Sequence, residues 1–181
     1  INFRVDFADA AGNSGSIDNT TDNSLFKVDL EDPVISNVSI TSTNQDPKWA
    51  KYGDNITLSF STSEPIQDPS TNITIDGLTD IVVVGSDILT EWTATGQVAS
   101  NAAGMAKYSI SVKDHAGNVA TPVTSTTSIN LDTGPPFLSE INLVSNNAND
   151  PDAFAKPGDN LTLSFNSTET LQTPVIILAD N

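Results

Sequence analysis

The stretch Lys107–Ser139, KYSISVKDHAGNVATPVTSTTSINLDTGPPFLS, carries the most information about the fold. It reads as an alternating strand, a tight turn at Asp114-His115-Ala116-Gly117-Asn118, a Thr/Ser-rich return strand, and a Pro-rich seam at Asp132–Pro136. A second version opens the chain. Asn2–Asp9 alternates in the same way, Asp9-Ala10-Ala11-Gly12-Asn13 repeats the turn, and VDLEDPVIS at Val28–Ser36 repeats the seam. The copies are about 105 residues apart at the turn and about 103 at the seam, a period of one small domain, which predicts a tandem array.

Working outward, Ile1, Phe3, Val5 and Phe7 fall on one face of an extended strand, the period-2 pattern of a half-buried strand. Phe26, Val28 and Leu30 read as a closing strand. Asp32-Pro33 then stops sheet pairing, because proline removes an amide donor and biases the preceding residue away from the helical region. Val34–Ile40 starts a complete unit, Thr41–Trp49 reads as a polar loop, and Asn55–Ser63 alternates cleanly. Short strands at Ile73–Ile75, Ile81–Val84 and Ile88–Thr95 follow, with a loop-like stretch at Gly96–Gly104 before Tyr108. Strands at this spacing, separated by turn signals, predict an all-β antiparallel sandwich. Beyond the second seam, Lys156–Phe165 (KPGDNLTLSF) matches Lys51–Phe60 (KYGDNITLSF) almost letter for letter. A last strand is expected at Val175–Leu178. The expected division is therefore the C-terminal part of one repeat at 1–30, a complete repeat at 31–133, and the N-terminal part of a third at 134–181. The chain thus reads as an excerpt of something longer.

These features resemble the tandem immunoglobulin-like repeats of bacterial adhesins and other large surface proteins. The residues that carry the likeness are the Asp/Pro seam, the KxGDNxTLSFxxxE launch of the second strand, the lone Trp92 and the D-x-AGN turn. The resemblance implies immunoglobulin-like sandwiches in series on an extracellular stalk or filament, with copies of the same chain or neighbouring repeats as partners. Its alternative is an adhesin module that recognises carbohydrate or a surface protein through its loops. The paired cysteines of antibody domains are missing, so antigen-type recognition is not implied.

Composition narrows the chemistry. Twenty-three acidic residues against seven basic give a net charge of −16, which opposes binding to a phosphate backbone and favours cations. The chain has no cysteine, which excludes disulfides, thiol catalysis and cysteine–zinc sites. No run approaches the roughly 20 apolar residues of a membrane-spanning helix.

Few residues invite a catalytic reading. His115, the single histidine, occupies a turn position that Ala10 fills in the other copy, and no carboxylate pair stands out as a general acid and base. No enzyme is expected. Calcium is the more serious proposal, because Asp29, Glu31 and Asp32 crowd the first seam, within possible reach of Asp9 or Asp114 from the turns. The second seam retains Asp132 but has Gly134 and Pro135 in place of the other two. The alternative is solvated acids that keep a polyanionic stalk extended. Asn19, Asn37, Asn55, Asn72, Asn160 and Asn166 open glycosylation sequons. Trp92, sharing a strand face with Ile88 and Ala94, is expected in the core. Trp49, with Phe154 as its counterpart, is a candidate for binding or for contact with a neighbouring subunit.

Overall fold

The computed structural model describes residues 2–22, 24–86, 88–150 and 153–177. These residues form strands, turns and irregular segments, with no helix among them. The chain divides into two compact bodies, Ile1–Thr133 and Gly134–Asn181.

The first body opens with the antiparallel pair β1 (Val5–Ala8) and β2 (Ser14–Ile17). Between them is the expected turn: the Asp9 carboxylate accepts from the amides of Ala11 and Asn13, each at 2.9 Å, and Gly12 takes φ +90°. A backbone angle in that region costs glycine little and other residues much. Then come β3 (Ile35–Ser42), β4 (Trp49–Ala50), β5 (Asn55–Thr62), β6 (Ile73–Ile75), β7 (Leu78–Gly85), β8 (Glu91–Val98), β9 (Ala103–Ala106), β10 (Tyr108–Ile110), β11 (Val123–Thr124) and β12 (Ile129–Asp132). They assemble into a four-stranded sheet ordered β3-β5-β8-β7 and two three-stranded sheets, β4-β12-β9 and β11-β10-β6.

Alternation decides which face is inside. Ile56, Leu58 and Phe60 of β5 and Trp92, Ala94 and Val98 of β8 are buried, while Thr57, Ser59, Thr93 and Thr95 between them face outward. The inner face joins Ile73, Ile75, Tyr108, Ile110, Ile129 and Leu131 from the three-stranded sheets in one apolar cluster. Each large side chain so buried contributes about 1.5–3 kcal/mol. An all-β body with a core shared between sheets is consistent with a β-sandwich. Pairing is antiparallel except for the short β4–β12 contact, which is parallel.

The second body contains β13 (Leu138–Ser145) and β14 (Leu161–Ser167), an antiparallel pair. Its register repeats that of β3–β5. Ser39 pairs with Ser59 and Asn142 with Ser164; Ser42 pairs with Ile56 and Ser145 with Leu161. Both pairs are interrupted at the same place, where Asn37 and Glu140 take φ of 51° and 52°. The turn before the second strand is also reproduced. The Asp54 carboxylate accepts from the Asn44 amide group at 2.7 Å and the Lys51 backbone at 2.9 Å, and Asp159 accepts from Asn147 at 3.0 Å and Lys156 at 2.9 Å.

Several local expectations need correction. The Gly96–Gly104 stretch is not all loop: Gly96, Gln97 and Val98 continue β8, and β9 begins at Ala103. Cross-strand pairing to β5 and β7 overrides the small-residue composition there. Ile88 lies before β8 and is exposed, so it does not share the Trp92 face. Trp49 ends the preceding loop by entering a strand. Phe26, Val28 and Leu30 form no strand and are exposed. Of the strand expected at Val175–Leu178, residues 175–177 are non-strand, and Leu178, like Ile1, lies outside the described residues. Phe3, Val5 and Phe7 are likewise exposed, whereas Tyr108, Ile110 and Val112, 105 positions later, are buried. The alternating pattern is the same in both; in the first body only the later copy has a second layer to cover it.

Candidate functional site

The turn after β10 builds the one cluster of potential metal-ligating groups among the described residues, Asp29, Glu64 and Asp114. Asp114 is the keystone. Its side chain is almost wholly buried, and its carboxylate accepts from the amides of Gly117 at 2.6 Å and Asn118 at 2.9 Å and from the Asn118 side chain at 2.8 Å. Gly117, at φ +101°, closes the turn, and the Asp114 amide donates to the Asn118 carbonyl at 3.1 Å. This is the Asp9–Asn13 arrangement again. In both turns, the asparagine side chain returns to the aspartate, at 2.7 Å in the earlier copy.

The loop Ser63–Asp68 packs against this turn. Ile66 is fully buried and bridges to Asp114, and Gln67 donates to the carbonyls of Lys113 at 2.9 Å and Asp114 at 2.8 Å. Glu64 is thereby held over Asp114. The third acid arrives from the opening segment: the Asn118 side-chain amide donates to the Asp29 carbonyl at 3.3 Å. The three residues can each offer a carboxylate oxygen within 4.8 Å of the others, which is compatible with a hard cation about 2.3–2.6 Å from each. Asp114 Oδ1 is taken up by the two backbone amides, whereas Oδ2 accepts only from the Asn118 side chain and keeps a second acceptor position. Lys27 competes for the same role, with its ammonium 3.7 Å from Asp29.

Electrostatics mark the same place. Partial burial, followed by the nearby charges of Asp29 and Asp114, raises the Glu64 pKa above its ordinary value; Lys27 acts in the opposite sense. For Asp114 burial is again the largest influence and would raise the pKa, but the hydrogen bonds from Asn118 and Gly117 outweigh it and hold it low. A carboxyl with a lowered pKa thus stands beside one with a raised pKa.

Of the residues expected at this seam, the structure brings Asp29 and Asp114 together, leaves Glu31 and Asp32 exposed outside the cluster, and adds Glu64. Glu64 was missed, although it closes the KxGDNxTLSFxxxE motif. All three positions have counterparts along the chain. Asp132 follows Asp29 by 103 positions, Glu169 follows Glu64 by 105, and Asp9 precedes Asp114 by 105. Glu31 and Asp32 have no such counterparts, being matched by Gly134 and Pro135.

The remaining candidates are spread over the surface. His115 is exposed at the rim of the hollow formed by Lys27, Asp29, Glu64 and Asp114. Asn19, Asn37, Asn55, Asn72, Asn160 and Asn166 are all exposed. Trp49 is 45% exposed and aligns across the sheet with Asn130 and the exposed Met105; Phe154 is exposed in the second body. Trp92 is buried, with its indole N–H donating to the Leu89 carbonyl at 3.1 Å. No candidate membrane-spanning helix occurs among the described residues. No protein-family model, curated protein or solved structure matches the chain.

Proposed function

We propose that this chain is a section of an extracellular stalk or filament built from immunoglobulin-like sandwiches in series, with a mechanical rather than catalytic role. The observation that carries this reading is the coincidence of β3–β5 and β13–β14 in register, bulge position and turn hydrogen bonds at a spacing of 103–105 residues. Each unit would set length, roughly 35–45 Å for strands of this size. The proline seams would restrict hinge motion. Partners would be neighbouring repeats or copies of the same chain. Single-molecule pulling tests the role. The complete sandwich should unfold in one event that releases about 350 Å of contour for roughly 100 residues. Gradual extension without such an event would exclude a load-resisting unit.

Calcium at the first seam belongs to the same proposal, moved from Asp29, Glu31 and Asp32 to Asp29, Glu64 and Asp114. The recurrence of those three positions favours it. Calcium titration should raise the melting temperature, and Glu64→Gln should abolish the rise. An equal rise in the variant would place any bound calcium elsewhere.

A further inference from the structure

Edge strands are where a sheet protein either blocks or invites pairing. In the first body the three-stranded sheets end in β4, β6, β9 and β11, each of four residues or fewer, while β3 and β7 end the four-stranded sheet with eight residues each. β3 (ISNVSITS) is mostly polar. β7 (LTDIVVVG) holds the uninterrupted apolar run Ile81-Val82-Val83-Val84, with neither proline nor charge. Ile81 and Val83 pack on the core, whereas Val82 and Val84 are 61% and 58% exposed. Among the described residues, β8 is the only strand that pairs with β7.

Between Asp80 at one end and Glu91, beside Ser86, at the other, the surface along this edge carries no charge. Val82 continues through Thr95 and Thr57 to Thr41, and Val84 through Thr93 and Ser59 to Ser39. On a chain of net charge −16, two copies repel over most approaches, and the centre of this edge lets them meet across uncharged side chains. We propose that the open edge of β7 is a lateral docking site for a second copy of this chain, the two β7 strands pairing antiparallel about a two-fold axis. The contact is isologous, with the same edge serving both partners. With Val83 at the centre, Val82 lies opposite Val84 and Asp80 opposite Ser86, whose neighbour across the sheet is Glu91, so the acids fall at the two ends of the contact and its centre is uncharged. The bulge at Asp80, where φ is 53°, limits the usable edge to Ile81–Gly85.

The proposal concerns sides and the serial reading concerns ends, so failure of either leaves the other standing. Sedimentation velocity over a range of concentrations, in salt sufficient to screen the net charge, is the test. The chain should associate, and Val82→Lys/Val84→Lys should raise the dissociation constant about tenfold or more by placing like charges across the pair. Val82→Thr/Val84→Thr, which keeps branched side chains without charge, should lose less. Near-ultraviolet circular dichroism of the buried Trp92 reports whether each variant stays folded. A chain that remains monomeric, or association unchanged by the two lysines in a folded variant, overturns the proposal.

Discussion

The side-chain amide of Asn118 donates to the carbonyl of Asp29 across 3.3 Å, joining residues 89 positions apart. The same amide group donates to the Asp114 carboxylate at 2.8 Å, so one side chain both closes its turn and ties down the opening segment. Asn118→Ala removes both bonds and should cost about 1–3 kcal/mol of stability. It should also speed hydrogen exchange at the amides of Asp29–Glu31. Unchanged exchange there would show that the segment is held by other contacts.

Glu64 gives the sandwich a distinctive response to pH. Its folded pKa is raised, so the folded chain binds a proton more tightly than the unfolded one, and stability falls as pH rises from the ordinary value of 4.5 through the folded value. Asp9, Asp54 and Asp114 work in the opposite sense. Their pKa values are lowered, so their contribution is present above the ordinary 3.8 and is lost as pH falls below it. The melting temperature should therefore peak in mildly acidic solution. Glu64→Gln should flatten the decline on the alkaline side of the peak and leave the acid limb in place. A variant with an unaltered alkaline limb would mean that burial and the neighbouring acids do not raise the Glu64 pKa.

Gly85 provides a packing test. A methyl group there would come within 2.7 Å of the Trp92 ring, which is buried and anchored through its N–H to Leu89. Gly85→Ala should cost about 1–3 kcal/mol through overpacking and should shift the Trp92 emission. Equal stability to the parent chain would show that the ring can slide aside.

Much of the fold could be read from alternation and punctuation. Ile56, Leu58 and Phe60 alternate with Thr57 and Ser59, and burial follows that alternation residue by residue. The strands misjudged were those whose fate depends on distant partners. Gln97 sits in β8 because Asn55 and Thr79 flank it, and Val28 stays irregular despite an alternating neighbourhood. The candidate site was legible in part for the same reason. Asp29 advertised itself by crowding with other acids, and the paired D-x-AGN turns pointed to Asp114. Glu64 looked like part of a strand motif, because only the folded loop places it over a turn 50 positions later.

Electron microscopy of the native particle is the most direct test of the serial arrangement. Beaded rods or fibres with a repeat of roughly 35–45 Å along the axis are the expected result. Dispersed compact particles, with no axial repeat, would contradict it.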